Sequence, residues 1–320
     1  AVRTDVGIFD LSHMGEITIQ GPDAAAFLDY ALISDFTALK EGKAKYSMIV
    51  AEDGGILDDL ITYKFSDNHF MVVPNAANTN AVWAAFEARK GDFNVELGNN
   101  SEAFALVAVQ GPRALEVLEP LLSDDASALS YYSGAWMTLD GVETFVARTG
   151  YTGEDGFELF CTREDAQKVW DAVIDHGTPC GLAARDSLRL EASMPLYGHE
   201  LTAEITPVEA GMGRAFAKKE ADFVGKDALT GREPSVVIAG LTSEQRRAAR
   251  EGADVFLASS EEKIGVVTSG QPSPTLGHPV ALAHLDPAHA EEGTDVDVDI
   301  RGRRYPFTIA PTPFYSRKDA

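Results

Sequence analysis

Ile19-Gln-Gly-Pro-Asp-Ala-Ala-Ala-Phe-Leu28 returns 90 residues later as Val109-Gln-Gly-Pro-Arg-Ala-Leu-Glu-Val-Leu118. In each copy an alternating run, Glu16-Ile-Thr-Ile or Ala105-Leu-Val-Ala-Val, reads as a strand that Gly-Pro ends. The proline falls where a first helical turn has no use for an N–H. Downstream, Val82-Trp83 and Val169-Trp170 lie in amphipathic stretches that close the two copies. The first helix is expected from about residue 79 to 90, before Gly91; the second opens on the capping box Thr162-Arg-Glu-Asp165 and stops at Gly177. Strand-rich sequence, 45–74 and 136–161, fills the interval in each. The reading is an internal duplication of a β-α-β-β-(β)-α unit, an α+β, ferredoxin-like type with mainly antiparallel sheets.

A third helix is expected over 182–192. After Lys226-Asp-Ala-Leu-Thr-Gly the texture changes to short β-rich runs (236–241, 263–269, 279–284, 295–301, 307–310), which predict a small barrel or sandwich. The domains are therefore 1–92, 93–228 with the third helix, and 229–320. The chain opens without Met in what reads as the middle of an element, so the first unit is expected to be N-terminally incomplete.

Composition narrows the chemistry. Of 320 residues, 27 are basic and 50 acidic, a net charge of −23 whose field repels phosphate backbones and anionic lipid. No nucleic-acid or membrane partner is expected, and no apolar run approaches the roughly 18 to 20 residues of a membrane span. Cys161 and Cys180 stand in no metal-ligand spacing and favour a reducing, cytoplasmic setting. The sequence carries no HExxH, no GxSxG and no Rossmann fingerprint, so no metal and no nucleotide cofactor are expected. Carboxylate, amide, Tyr and Arg are left to do the work.

In Lys45-Tyr-Ser-Met-Ile-Val-Ala-Glu-Asp-Gly-Gly-Ile-Leu-Asp-Asp-Leu-Ile-Thr-Tyr-Lys64, Asp53-Gly-Gly55 signals a hairpin. Alternation puts Leu57, Asp59, Ile61 and Tyr63 on one face and Ile56, Asp58, Leu60, Thr62 and Lys64 on the other. Asp59, on the more apolar face, is either an acid/base group with a shifted pKa or a carboxylate paired with a buried N–H or Arg. Asp58 reads as solvated or hairpin-supporting. Asn75, after Phe70-Met-Val-Val-Pro, sits at a strand-to-helix junction as a reader of a polar ring or a plain cap.

Arg148-Thr-Gly-Tyr-Thr-Gly-Glu-Asp-Gly-Phe-Glu158 holds three glycines, a tight hairpin whose backbone approaches something closely, yet no phosphate-binding pattern. Tyr151 could stack on a planar heterocycle and Glu158 hydrogen-bond it; the plain alternative is a turn aromatic and an exposed carboxylate. Arg185 and Arg189, four apart, suit a carboxylate ligand, or pair with Asp186 or Glu191 along the helix.

These segments, with Gly7-Ile-Phe-Asp-Leu-Ser-His-Met-Gly15, Gly181-Leu-Ala-Ala-Arg-Asp-Ser-Leu-Arg-Leu-Glu-Ala192, Pro207-Val-Glu-Ala-Gly211, Phe223-Val-Gly-Lys226 and Gly265-Val-Val-Thr-Ser-Gly-Gln-Pro-Ser-Pro274, resemble the aminomethyltransferase family, the T-proteins of the glycine cleavage system. The resemblance runs in family order over nearly the whole chain. It implies three domains around a central folate channel, with the second carboxylate of Gly-Gly-x-x-Asp-Asp, here Asp59, as the catalytic one. Met14, Tyr46, Tyr63 and Asn75 would line the pterin pocket, Tyr151 and Glu158 would hold the folate, and Arg185 would contact it. Tyr197 and Arg189 would be neighbours.

The implied reaction moves an aminomethyl group from the lipoylated H-protein to tetrahydrofolate, a co-substrate, in a monomer, releasing ammonia and forming 5,10-methylenetetrahydrofolate. Competing readings are a folate-dependent demethylase with another donor and a non-catalytic folate-binding protein. The Lys-Gly-Cys-Tyr-x-Gly-Gln motif of iron–sulphur-assembly relatives is absent. Two features depart from the family: Arg214 stands in Gly211-Met-Gly-Arg-Ala-Phe216 where an aromatic is usual, which would alter a channel wall, and Pro313-Phe-Tyr315 matches loosely.

Overall fold

The two copies of the Gln-Gly-Pro repeat build two sheets that stack face to face. The structure, a computed structural model, describes residues 1–318. The first sheet runs in the order Ala44–Val50, Ile56–Ser66, His69–Pro74, Ile17–Gln20, Glu96–Asn99. The second repeats it as Gly134–Leu139, Val142–Ala147, Gly156–Thr162, Phe104–Gln110, then Gly7–Asp10 and Thr178–Pro179. The difference is Gly7–Asp10, which inserts from before the first repeat and forms a parallel pair with Thr178–Pro179.

Strand alternation assigns each sheet an outer and an inner face. Outside the first sheet, helices Ala24–Ala31 and Thr79–Arg89 bury Phe27, Leu28, Val82 and Phe86 against Ile17, Ile19, Leu60 and Val72. Outside the second, Ala114–Leu118 and Ala166–Ile174 bury Leu118, Val169 and Val173 against Val107, Val109, Phe157 and Leu159. The inner faces meet through Tyr63, Met71 and Val73 on one side and Leu106, Phe145 and Phe160 on the other. Tyr63 packs edge-on against Phe145 and Phe160 at 5.4 and 5.6 Å, pairs worth roughly 0.5–1.5 kcal/mol each beyond their area. The result is a four-layer α/β/β/α stack.

The repeated Gln-Gly-Pro has a steric cause. Gly21 and Gly111 share φ +138°, and a Cβ there would lie 2.3 Å from the Asn94 carbonyl oxygen and 2.1 Å from that of Asp5. Each glycine lets one chain segment cross another, while the proline serves the turn ahead of the helix, which starts two residues later at Ala24 or Ala114. The glutamines diverge. Gln20 meets His69 at the exposed sheet surface, whereas buried Gln110 donates to the Thr149 carbonyl at 3.0 Å and accepts from the Thr152 hydroxyl at 2.8 Å. Its amide explains two of the three glycines of the 148–158 segment, since a Cβ at Gly150 or Gly156 would strike it at 2.0 or 2.5 Å.

Some boundaries differ from expectation. Thr162 forms no capping box: its hydroxyl donates to the Asp165 carboxylate at 2.9 Å, a 3-10 turn occupies Arg163–Asp165, and the helix runs Ala166–Ile174, short of Gly177. The C-terminal strands close into a six-stranded barrel, in the order Val237–Thr242, Pro279–Leu285, Lys263–Pro272, Asp254–Leu257, Asp295–Asp299, Arg304–Ala310. Its fourth member, Asp254–Leu257, is too short to register as an alternating run. Helix Leu182–Glu191 joins the layers to the barrel through Leu190 against Val280 and Leu282. Among the described residues no helix is long and apolar enough to cross a membrane.

Gly111→Ala is expected to lower unfolding stability by about 2 to 4 kcal/mol, since it adds a carbonyl clash to the cost of a positive φ. Gly141→Ala, at φ +83° in open space, is expected to cost about 1 kcal/mol. Equal urea midpoints for the two would refute the crossing as the reason for Gln-Gly-Pro.

Candidate active site

Where the two inner faces separate, a cavity of about 230 Å³ opens, several times the ~30 Å³ share of one water. Strand Ile56–Ser66 contributes Asp59, Ile61 and Tyr63; strand Ala44–Val50 contributes Tyr46; Asn75 follows strand His69–Pro74. The second sheet offers Leu106 and Glu158, its glycine loop Tyr151, the third helix Arg185, and the segment after that helix Met194 to Tyr197. Met14 completes the wall. Of the residues expected at the site, Asp59, Met14, Tyr46, Tyr63, Asn75, Tyr151, Glu158, Arg185 and Tyr197 are brought together. Arg189 does not line the cavity.

Asp59 faces this gap deep in the molecule. One carboxylate oxygen accepts from the Tyr46 hydroxyl at 2.9 Å and the other from the Asn75 amide at 2.8 Å. Burial pushes its pKa up, and these two donors pull it part of the way back. Burial likewise lifts the Tyr46 and Tyr63 hydroxyls well above the usual tyrosine value, so both stay protonated donors. A bare carboxylate accepts but cannot donate, so the Asn75 NH2 must face it and the Asn75 carbonyl is turned away.

Asp58 is not the solvated residue its position suggested. It is fully buried on the outer face, where it accepts from the Asn75 backbone N–H (2.9 Å), the Asn75 side chain (2.9 Å) and Asn78 (2.7 Å). Burial, set against those donors, takes its pKa up to about 7. The alternation was right; the outer face here is covered rather than wet.

Across the gap, the Tyr63 hydroxyl lies 2.9 Å from the Thr149 hydroxyl and 3.3 Å from Glu158, joining the sheets at their polar centre. Glu158 is buried, not an exposed strand carboxylate, and also accepts from Thr149. Tyr151 donates to the Pro195 carbonyl and presents its ring to Arg185, whose guanidinium carbon lies 4.8 Å from the ring centre. Among the described residues no carboxylate forms an ion pair with Arg185, and burial depresses its pKa. Intrahelical pairing is Arg189's arrangement: fully buried, it binds Glu200 at 2.9 Å and Asp186 at 2.8 Å and donates to Ser269 of the barrel. Tyr197 donates to the Ile56 carbonyl at 3.0 Å, tying the cavity wall to the Asp59 strand. Arg214 is exposed in a short 3-10 turn, so it alters no channel wall.

Tyr132 and Met194-Pro195-Leu196 also line the cavity, and the sequence reading missed them. Tyr132 adopts φ +60° in an irregular turn that no periodicity marks, and its carbonyl accepts from Ala44 of the first sheet. Among the described residues no three His, Cys, Asp or Glu side chains converge as metal ligands. The loosely matching Tyr315 stacks on Arg3 at 3.8 Å and donates to Glu154, so residues 3 and 315 meet beside the glycine loop.

Comparison with known proteins converges on this architecture. A family model described as the GCVT N-terminal domain matches residues 1–220, and one described as the glycine cleavage T-protein C-terminal barrel domain matches 237–316. The aminomethyltransferase of Corynebacterium aurimucosum is 58% identical, covering 99% of this chain and 89% of that protein. That of Streptomyces avermitilis is 49% identical, covering 99% and 88%. The crystal structure of glycine cleavage system aminomethyltransferase T from Bartonella henselae superposes with a TM-score of 0.92 at 36% identity, over 99% of this chain and 88% of that one.

One buried carboxyl beside these strands has no partner. Both oxygens of Glu16 are buried without a hydrogen bond among the described residues, and burial raises its pKa from 4.5 to about 8. The folded state therefore prefers the neutral form, so Glu16 costs stability as pH climbs from about 4.5 through about 8. Glu16→Gln is expected to melt progressively higher than the wild type as pH rises from 5 to 9, with a gain of a few kcal/mol at the alkaline end. A difference that stays constant over this range in calorimetry would show that the Glu16 carboxyl does not titrate there.

Proposed function

The chain belongs to the glycine cleavage T-protein family, and on that premise we propose that its inter-sheet cavity receives the pterin of tetrahydrofolate, with Asp59 as the catalytic carboxylate. Its activity is that of an aminomethyltransferase of glycine cleavage. The aminomethyl group arrives as a thioaminal on the dihydrolipoyl arm of the H-protein. The bonds from its carbon to ammonia and to sulfur break, and two bonds to N5 and N10 of the folate form. The two hydrogens that leave those nitrogens end on ammonia and on the lipoyl thiol.

The observation that carries the reading is a carboxylate with raised proton affinity, oriented by Tyr46 and Asn75, on the wall of a largely apolar gap. A base whose pKa moves toward neutrality accepts a proton from a folate nitrogen more readily than an ordinary aspartate does. As an anion it also stabilises the iminium that forms when ammonia departs, and apolar walls keep water from that electrophile. Glu158, acceptor-only when ionised, suits ring N–H groups, and the Asn75 side-chain carbonyl, which accepts from none of the described residues, suits another. Arg185, stacked on Tyr151 and without a carboxylate partner among the described residues, suits a carboxylate of the folate. Both cysteines are free thiols, the state a reducing cytoplasm maintains, and we place the reaction there.

With aminomethylated H-protein as donor, ammonia release is expected to depend on tetrahydrofolate. Asp59→Asn should slow it about 10²- to 10⁴-fold while folate still binds. Arg185→Ala should weaken folate binding about 10- to 100-fold. Near-normal turnover of Asp59→Asn would remove Asp59 from the chemistry, and folate binding without ammonia release by the wild type would make the chain a binding protein.

A further inference from the structure

Asp58 points away from the cavity, yet it is the residue on which Asn75 is built. Its carboxylate accepts from both the backbone N–H and the side-chain amide of Asn75, and from Asn78 one helical turn on. The same Asn75 amide also donates to the Asp59 carboxylate at 2.8 Å and to the Asp59 carbonyl at 3.0 Å. An NH2 group has two hydrogens, and two buried carboxylates on opposite faces of one strand compete for them. With the Asn75 N–H groups so engaged, its side-chain carbonyl oxygen accepts from none of the described residues, and Asn75 lines the gap.

We propose that Asp58 is a positioning residue for the transfer reaction: it clamps Asn75 so that one amide face orients Asp59 and the other meets the folate. This inference rests on Asp59 as the catalytic carboxylate. Asp58 touches no substrate and acts through Asn75 alone. A plain structural role is less apt, because a fully buried carboxylate that served only stability would be better replaced by a neutral group. Asparagine keeps the shape at position 58 but turns an NH2 toward the Asn75 donors, so the clamp opens while the packing stays.

The test is a double-mutant cycle in the folate-dependent ammonia assay, with thermal unfolding alongside. Asp58→Asn is expected to lower kcat/KM about 10- to 100-fold in the wild-type background. In an Asn75→Ala background it should change kcat/KM less than about twofold, because the residue it acts through is gone. Its melting temperature should equal or exceed that of the wild type. Equal losses in both backgrounds, wild-type kinetics, or a loss that follows lowered stability would overturn the proposal. Should Asp58→Asn not fold, Asn78→Ala removes one clamp donor without changing charge, and the same two backgrounds decide. Asp59→Asn is assayed in parallel: if it keeps turnover, the catalytic reading fails on its own account, whereas its inactivity beside an unaffected Asp58→Asn refutes only the clamp.

Discussion

Successive side chains leave a strand on opposite faces, and the consecutive carboxylates of Ile56–Ser66 cannot escape that rule. Asp59 enters the gap between the sheets while Asp58 is driven into the layer behind. Everything at the site follows from how the protein accommodates this split. Asn75 must bridge around the strand end, which fixes where His69–Pro74 stops; Tyr46 must come from the neighbouring strand, which fixes the Ala44–Val50 register. A one-residue slip would exchange the two carboxylates and turn Asp59 away from the gap.

The fold was largely legible because the signals that define it are local and repeated. Gln-Gly-Pro marks a backbone crossing that only glycine permits, and it does so in both copies. The residues around Asp59 were legible to the extent that alternation assigns faces. What alternation does not carry is the covering of a face: Asp58 looked solvated because the sequence does not show that Asn75 and Asn78 close over it. Arg185 and Arg189 are a second case in which helix spacing does not carry the tertiary surroundings. They share one helix, yet only the tertiary packing decides that Arg189 is consumed by Glu200 and Ser269 while Arg185 has no carboxylate partner among the described residues. Tyr132 lay beyond pattern altogether, since a turn residue at positive φ has no period.

The electrostatics divide by distance. A net charge of −23 opposes the approach of the anionic folate proposed as ligand and gives no long-range steering toward it. Recognition is left to a cation inside the walls, within the roughly 8 to 10 Å over which charges act in salt solution. Arg185 is the cation we propose for it, because among the described residues no carboxylate pairs with it. Its counterpart one turn along is fully committed to holding the barrel, which in turn sets the Met194-to-Tyr197 wall.

The two glutamines of the repeat now carry a wider meaning. Gln20 remains at a wet sheet surface, while Gln110 has become the internal frame of the glycine loop that presents Tyr151. Two halves that share a chain path therefore offer unlike walls: Asp59, Tyr46 and the Asn75 amide on one, Glu158 with the Tyr151 ring and the Arg185 guanidinium beside the other. A gap between identical halves would accept a flat ring equally well in two orientations related by its dyad. Here the dyad is broken chemically, so the gap has a head and a tail, and a long asymmetric ligand can be read in one direction only.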